Sequence, residues 1–461
     1  MTSAPARGRP TATPEEEDEI LDVIDRWVEK EVRPIARRFD QADEYPHDLV
    51  EQMKDLGLFG ATIGQEWGGL GLSASAYARI VTRISQAWMA PTGIFNSHLI
   101  MAACVERNGT EEQKRTWLPR FATGELRGGI GLTEPNAGTD LQGIRTVARR
   151  DGDGYVIDGT KTWITNGIYG TCFAVLTKTD PEAQPRHKGM SMFIAEKGSG
   201  FTVGRKIRKL GYRAIDSAEL VFENFRVNAD QLVGGAEGRG FHHAVGGLEL
   251  GRINVAARGV GLATGAFKDA LAYAQQRQTF GKPIAEHQAI QLKLADMATR
   301  VEAARLLVEQ AARKYDTGER CDLEAGMAKL FASETAVENS LDAMRIFGGY
   351  SYSVDFDVER YYRDSPLMCI GEGTNEMQRI IIARQLIQRD FRELQQCMRG
   401  IQPLGFQQHA DNASHFRGVL PQRADCRGVL QQGKAQRDPR DGRTQLVADT
   451  QQQLPFRVQH A

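Results

Sequence analysis

Two changes in the periodicity of apolar residues constrain this chain of 461 residues more than any single motif does. From about residue 15 to 125, apolar positions recur at three and four, as in Ile20-Leu21-Val23-Ile24-Trp27-Val28 and Leu49-Met53-Leu56. That spacing builds one face of a helix. Thr110, with Gln113 three residues on, reads as a capping box opening another helix. Near residue 128 the grammar becomes that of strands and turns. Tyr155-Val156-Ile157, Cys172-Phe173-Ala174-Val175-Leu176, Ser191-Met192-Phe193-Ile194-Ala195 and Glu219-Leu220-Val221-Phe222 are separated by Gly, Asp, Asn and Pro, and this continues to about 235. Long helical patterns then return over 246–277, 285–316, 323–347 and 375–389, and their short connectors predict a four-helix bundle. The expected architecture is mainly α with a central β-domain: helices over 15–127, a β-barrel or sandwich over 128–237, and a bundle over 238–391. Residues 1–14 are polar and Pro-rich, so a mobile start is expected. Residues 392–461, rich in Gln, Arg, Asp and Gly without apolar period, are expected to be a disordered tail that carries no chemistry.

Charge and cysteine usage narrow the function. The 58 basic and 59 acidic residues leave a net charge of −1, so no overall field favours nucleic acid or an anionic membrane. Small molecules or proteins are the expected partners. No apolar run approaches the ~18 residues of a spanning helix, and no secretory h-region is visible at the start. Cys104, Cys172, Cys321, Cys369, Cys397 and Cys426 are scattered without a C-x-x-C pair. That pattern argues against a zinc site or a disulfide framework, and fits a reducing, cytoplasmic setting.

Five segments carry possible chemistry. In Ile370-Gly371-Glu372-Gly373-Thr374-Asn375-Glu376 one carboxylate stands between glycines, where few side chains would hydrate it. Poor solvation raises a carboxyl pKa, as a base for a carbon-bound proton requires, although an acid in such a turn also serves as a simple cap. Gly131-Leu132-Thr133-Glu134-Pro135-Asn136-Ala137-Gly138-Thr139-Asp140 reads as a tight loop of hydroxyls and amides, or as a plain connector. In Lys161-Thr162-Trp163-Ile164-Thr165-Asn166-Gly167, alternation puts Trp163 and Thr165 on one side of a strand. They could flank a heteroaromatic ring, or be a core Trp beside a solvent-facing Thr. Arg277-Gln278-Thr279-Phe280-Gly281-Lys282-Pro283 could grip a pyrophosphate or merely cap a helix, and the glycine pair in Phe347-Gly348-Gly349-Tyr350 could admit a nucleotide or turn the chain.

Taken together, in this order, these segments resemble the acyl-CoA dehydrogenase family over about residues 15–390. The resemblance implies a tightly bound FAD, a homotetramer, and α,β-dehydrogenation of an acyl-CoA to a trans-2-enoyl-CoA within fatty-acid β-oxidation. Glu372 matches the family's base for the α-proton, with the β-hydride passing to flavin N5. Leu132, Thr133 and Thr139 would contact flavin or substrate, and Trp163 and Thr165 would flank the isoalloxazine. Arg277, Thr279, Phe280 and Gln288 would hold the FAD diphosphate and adenosine across a subunit interface. Arg345, Gly348, Gly349, Thr374 and Glu376 would lie along the same cofactor. Glu249 and Arg252 match the helix lining the acyl pocket, where Gly371 and Gly373 would also touch substrate. Electron-transfer flavoprotein is the implied acceptor.

Three departures bear on substrate. Gly371 stands where many straight-chain members carry Tyr, which widens the pocket and suggests branched or bulky acyl groups. Arg345 replaces a frequent Gln beside the diphosphate. Trp88-Met89-Ala90-Pro91 lacks the Arg with which glutaryl-type members bind a distal carboxylate, which disfavours dicarboxylic substrates. Some members place the base one residue before Arg252, but here that residue is Gly251. An acyl-CoA oxidase, or another flavin enzyme on the same fold, and a non-catalytic helical scaffold stand as the alternative readings.

Overall fold

The computed structural model describes residues 10–400, the last of them, 389–400, as backbone only. Six helices come first: α1 (Pro14–Trp27), α2 (Arg33–Ala42), α3 (His47–Asp55), α4 (Ala74–Ala87), α5 (Ala90–Asn108) and α6 (Glu111–Ala122). Helix α1 starts where Pro14 fits the first turn and Thr13 closes a capping box with Glu16. The amides of Thr11 and Ala12 both donate to the Gly71 carbonyl. Order therefore reaches back into the segment expected to be mobile through residue 14. Helix α5 is buried over nearly its whole length, so the other helices and the sheet pack around it.

Strands β1 (Gly128–Gly131), β2 (Val147–Asp151), β3 (Gly154–Thr165), β4 (Cys172–Lys178), β5 (Met190–Glu196), β6 (Phe201–Lys206) and β7 (Ser217–Asn228) form one sheet. Its order is β1-β4-β2-β3-β7-β6, with β5 antiparallel on β4. Period-two alternation sorts the residues of β4 and β5 into two cores. Cys172, Ala174, Leu176, Met192 and Ile194 join the large helical core, while Phe173, Val175, Phe193 and Ala195 fill a separate aromatic core with Phe201, Phe222 and Phe225. Thus the sheet is cemented to the helices on one face and curls around its own core on the other.

The chain returns to helix in α7 (Gly240–Gln276), followed by a hairpin of β8 (Gln278–Thr279) and β9 (Lys282–Pro283). Then come α8 (Gln288–Asp316), α9 (Asp322–Phe347), α10 (Val358–Ile370) and α11 (Asn375–Gly400). Helix α10 was not expected from the sequence. Its buried positions are Arg360, Tyr361, Asp364 and Ser365 as well as Val358 and Met368, so no apolar stripe shows. Arg360 donates to the Ala87 carbonyl and Tyr361 to Asp269, which supplies the partners such burial demands. Pro366 sits inside this helix and removes one N–H; the Ser365 hydroxyl donates instead to the freed Tyr362 carbonyl. Backbone helix continues in α11 to Gly400, past the boundary expected at 391; the expected tail over 401–461 lies outside the described residues. Among the described residues no helix is long and apolar enough to cross a membrane, and no group of three or more His, Cys, Asp or Glu is placed to hold a metal ion.

One side chain joins α6 to the segment after β7. Gln113 Oε1 accepts from the amides of Thr110 and Gly234, and its Nε2 donates to the carbonyls of Asp230 and Leu232. That uses both donors and both acceptor sites of a buried amide. Gln113→Ala should cost roughly 3 kcal/mol, because several buried backbone groups lose their partner. A lowered urea midpoint at unchanged slope would confirm it; an unchanged midpoint would mean that water replaces the amide.

Candidate active site

The carboxylate singled out in the sequence sits on a strained turn between two helices. Gly371 N–H donates to the Leu367 carbonyl and ends α10, while the Thr374 hydroxyl accepts from Met377 N–H and opens α11. Between them Glu372 adopts φ +52° and Gly373 φ +93°. A left-handed conformation at a glutamate costs about 1–3 kcal/mol and persists only where the surroundings impose it. Here α9 imposes it. Lys329 Nζ donates to the Cys369 carbonyl and to Asn375 Oδ1, and Ser333 also bonds Asn375. Burial pulls Lys329 down to about 8, against the opposing pull of Cys369, Glu372, Glu376 and Glu334. Gly373 is favoured by its φ, and a Cβ there would lie 2.8 Å from Gln378 Nε2 and push that side chain aside.

Glu372 is half-buried as a residue, and its carboxyl group points inward. Oε1 accepts a 2.9 Å hydrogen bond from Asn96 Nδ2 on α5; Oε2 is buried and has no hydrogen-bond partner. Burial raises the Glu372 pKa, opposed by the Arg258 charge, the Asn96 bond, Lys329 and Arg252. Helix α7 makes the room: a Cβ on Gly251 would stand 2.0 Å from Glu372 Oε2. The position that could not act as base is therefore the one that lets Glu372 in. On the same helix Glu249 is buried, and Arg252 pairs with Asp322 at 3.3 Å while its Nε lacks a partner.

The other motifs fall into two groups. Leu132 and Thr133 are brought against the Trp163 strand, because Thr162 N–H donates to the Thr133 carbonyl and Lys161 Nζ to that of Leu132. Glu134, missed in the sequence, is the pin. Its carboxylate takes Lys161 Nζ at 2.7 Å and the amides of Arg145 and Thr146. Burial opposes its charge, yet Lys161 and those bonds hold it below the ordinary carboxylate value, while burial draws Lys161 down to about 8. Trp163 is no core residue: at φ +62°, in a bulge of β3 against β7, it is 58% exposed. Ile164 is buried and Thr165 half-buried, while Thr139 lies exposed in the loop. Helix α5 ties this group to Glu372. Asn166 Nδ2 donates to the Ile94 carbonyl, two residues before Asn96.

The second group gathers at the far end of α7. Arg277 lies over the Tyr350 ring at 5.6 Å, Thr279 bonds His287, and Phe280 stands 96% exposed at φ +50°. Gln288, Gly348 and Gly349 are exposed, and Arg345 pairs with Asp342 of its own helix at 3.2 Å; Glu376, also exposed, lies outside this group, four residues after Glu372 in the first turn of α11. Arg277 caps α7, 26 positions beyond Gly251, which at 1.5 Å per residue is about 39 Å along the axis. Within one chain this group does not meet Glu372.

Three acyl-CoA dehydrogenase domains match: the N-terminal domain over residues 14–125, the middle domain over 129–225 and the C-terminal domain over 238–387. An acyl-CoA dehydrogenase of Bacillus subtilis (strain 168) is 42% identical over 363 residues, 78% of this chain and 95% of that protein. Among solved structures, butyryl-CoA dehydrogenase from Megasphaera elsdenii is similar with a TM-score of 0.79 at 35% identity, covering 82% of this chain and 99% of that one. PigA with FAD and proline is similar with a TM-score of 0.77 at 27% identity, over 82% and 99%. The chain belongs to the acyl-CoA dehydrogenase family, a family of oxidoreductases.

Gly251→Ala should displace the Glu372 carboxyl without unfolding α7, since alanine favours helix over glycine. Misplacing a reacting group by about 1 Å costs on the order of 100-fold. Oxidation of an acyl-CoA should fall by about that factor with circular dichroism unchanged; full activity would show that the carboxyl needs no such clearance.

Proposed function

We propose that this chain oxidises acyl-CoA thioesters to trans-2-enoyl-CoA with FAD as cofactor, Glu372 removing the α-proton. The observation that carries the reading is a buried glutamate on a left-handed turn, with one carboxylate oxygen anchored and the other without a partner. Its raised affinity for a proton is what abstraction from carbon needs, and Oε2 is the oxygen with capacity to accept it. The Glu372 N–H, which has no acceptor among the described residues, is suited to donate to the thioester carbonyl and stabilise the developing enolate.

The residues present fit a flavin. An indole 58% exposed on a strained strand offers an aromatic face, and Leu132, Thr133, Thr139 and Thr165 add apolar and hydroxyl contacts around it. When bound, FAD supplies the acceptor for the β-hydride. Arg277 lies about 39 Å along α7 from Gly251, and with Thr279, Phe280, Gln288, Arg345, Gly348 and Gly349 it would hold a cofactor bound to another copy, within a homotetramer. A fully exposed phenylalanine at positive φ fits such a contact. Electron-transfer flavoprotein is the proposed acceptor, and the cytoplasm the proposed setting.

Gly371 points to the substrate class. Its φ is −67°, and a Cβ there would meet only Leu367 atoms at 3.3 and 3.9 Å. The backbone does not demand glycine, so its effect is to leave space beside the base. Branched or cyclic acyl groups are expected to turn over at least as fast as straight chains when the flavin is bleached anaerobically by a panel of acyl-CoAs. Turnover confined to unbranched chains would overturn this.

Glu372→Gln should abolish bleaching by about 1,000-fold or more. Because the wild-type pKa is raised, activity should fall as pH drops through a midpoint above the ordinary glutamate value. The stability sign is opposite. A carboxyl whose folded pKa is raised favours the fold while protonated, and that benefit is lost as pH rises through the folded value. Glu372→Gln should therefore raise the thermal midpoint of the apoprotein at neutral pH and change it little at acid pH. A variant that still bleaches, or is less stable at neutral pH, would contradict the assignment.

A further inference from the structure

Behind Glu372 runs a line of buried polar groups that the reaction itself does not require. Arg258 Nε on α7 donates to Asn254 Oδ1 at 2.6 Å, and Asn254 Nδ2 donates to the Tyr77 hydroxyl on α4 at 2.8 Å. Tyr77 donates in turn to Asn96 Oδ1 at 3.2 Å, and Asn96 Nδ2 reaches Glu372 Oε1. All four residues behind the glutamate are buried. Among the described residues no carboxylate pairs directly with Arg258. Its other contacts are the Tyr212 hydroxyl at 3.5 Å and the Tyr212 ring at 5.9 Å. A buried cation with no carboxylate bonded to it costs several kcal/mol, so its retention calls for a reason.

The reason lies in what each group can do. A guanidinium can only donate. Asn254 must therefore turn its oxygen to Arg258 and its NH2 to Tyr77. The tyrosine oxygen accepts that bond, and its one proton goes on to the Asn96 oxygen. Asn96 is left with its NH2 toward Glu372. An amide without such direction can turn its oxygen toward the glutamate instead, which favours the protonated acid.

We propose that Arg258 is a positioning residue: it fixes the direction of the chain Asn254–Tyr77–Asn96, so that Glu372 Oε1 always receives a donor and the proton is taken on Oε2. The proposal rests on Glu372 being the base. The groups acting on its charge are Asn96 from α5, Arg252 and Arg258 from α7, and Lys329 from α9, with Tyr77 of α4 and Tyr212 of the loop before β7 behind them. Arg258 is the strongest of the charges opposing the effect of burial, and the chain adds an oriented bond to that charge.

The test is infrared difference spectroscopy of the FAD-loaded enzyme against pH, with Glu372→Gln identifying the Glu372 carboxyl band. It is run on wild type, Tyr77→Phe and Arg258→Met, alongside the pH profile of anaerobic bleaching by butyryl-CoA. In both variants the protonated band should persist to higher pH, and the acid limb of bleaching should move with it. At a pH below the wild-type midpoint, bleaching should slow about three- to tenfold, the factor that accompanies a shift of up to about one pH unit. Should Tyr77→Phe leave band and limb in place while Arg258→Met moves them, the charge acts through space and the chain is overturned. An unmoved band in Arg258→Met equally overturns it, leaving packing against Tyr212 as that residue's role. The near-isosteric Tyr77→Phe decides alone if Arg258→Met does not fold. A Glu372→Gln enzyme that still bleaches would instead remove the base assignment, whatever the other variants do.

Discussion

One carboxylate kept from water organises this protein. An ionised group costs several kcal/mol to bury unless oriented donors or cations replace its hydration. Each helix packed against Glu372 contributes to that replacement: α5 an amide, α7 a missing side chain and two guanidinium groups, α9 a buried lysine that also clamps the turn. The compensation is incomplete, since Oε2 has no partner and the backbone is left-handed. Strain and an unsatisfied buried atom cost stability and persist only where the surrounding structure imposes them.

Catalysis on two faces of a substrate demands that base and cofactor cradle be fixed to a fraction of an ångström. Helix α5 supplies that rigidity. It is buried along nearly its whole length, Asn96 holds Glu372, and the Ile94 carbonyl two positions earlier holds Asn166 at the end of the Trp163 strand. The buried Lys161–Glu134 pair then locks the Leu132–Thr133 loop to that strand. Helix α7 does the reverse. By running from Gly251, beside Glu372, to Arg277 it sets the two groups of motif residues about 39 Å apart along its axis.

The fold was legible because apolar period records which surface each element buries, and it changes type at 128 and at 238. It failed at α10, where Arg360, Tyr361 and Asp364 are buried with partners such as the Ala87 carbonyl, far away in sequence. At the candidate site, the flanking glycines drew attention to Glu372 and the missing side chain to Gly251, while the bulge that exposes Trp163 was not visible in the sequence. Nor were the supports of the base. Asn96 reaches Glu372 across 276 residues, and Arg258 and Asn254 look in the sequence like the polar face of an ordinary helix. Glu134 likewise stood only as one member of the 131–140 loop, with no role of its own. Such contacts depend on which helix faces which, and local pattern does not hold that information.

The central claim is that Glu372, its carboxyl buried against Asn96, removes a proton from the carbon next to a thioester. It is tested most directly by hydrogen exchange rather than turnover. An acyl-CoA with no hydrogen on its β-carbon cannot complete the oxidation, yet its α-hydrogens remain exposed to the base. Incubated in heavy water with the FAD-loaded enzyme, such a compound should gain deuterium at the α-carbon, read by mass spectrometry, and should not with Glu372→Gln. Equal exchange by both proteins would show that another group takes the proton, and would contradict the account.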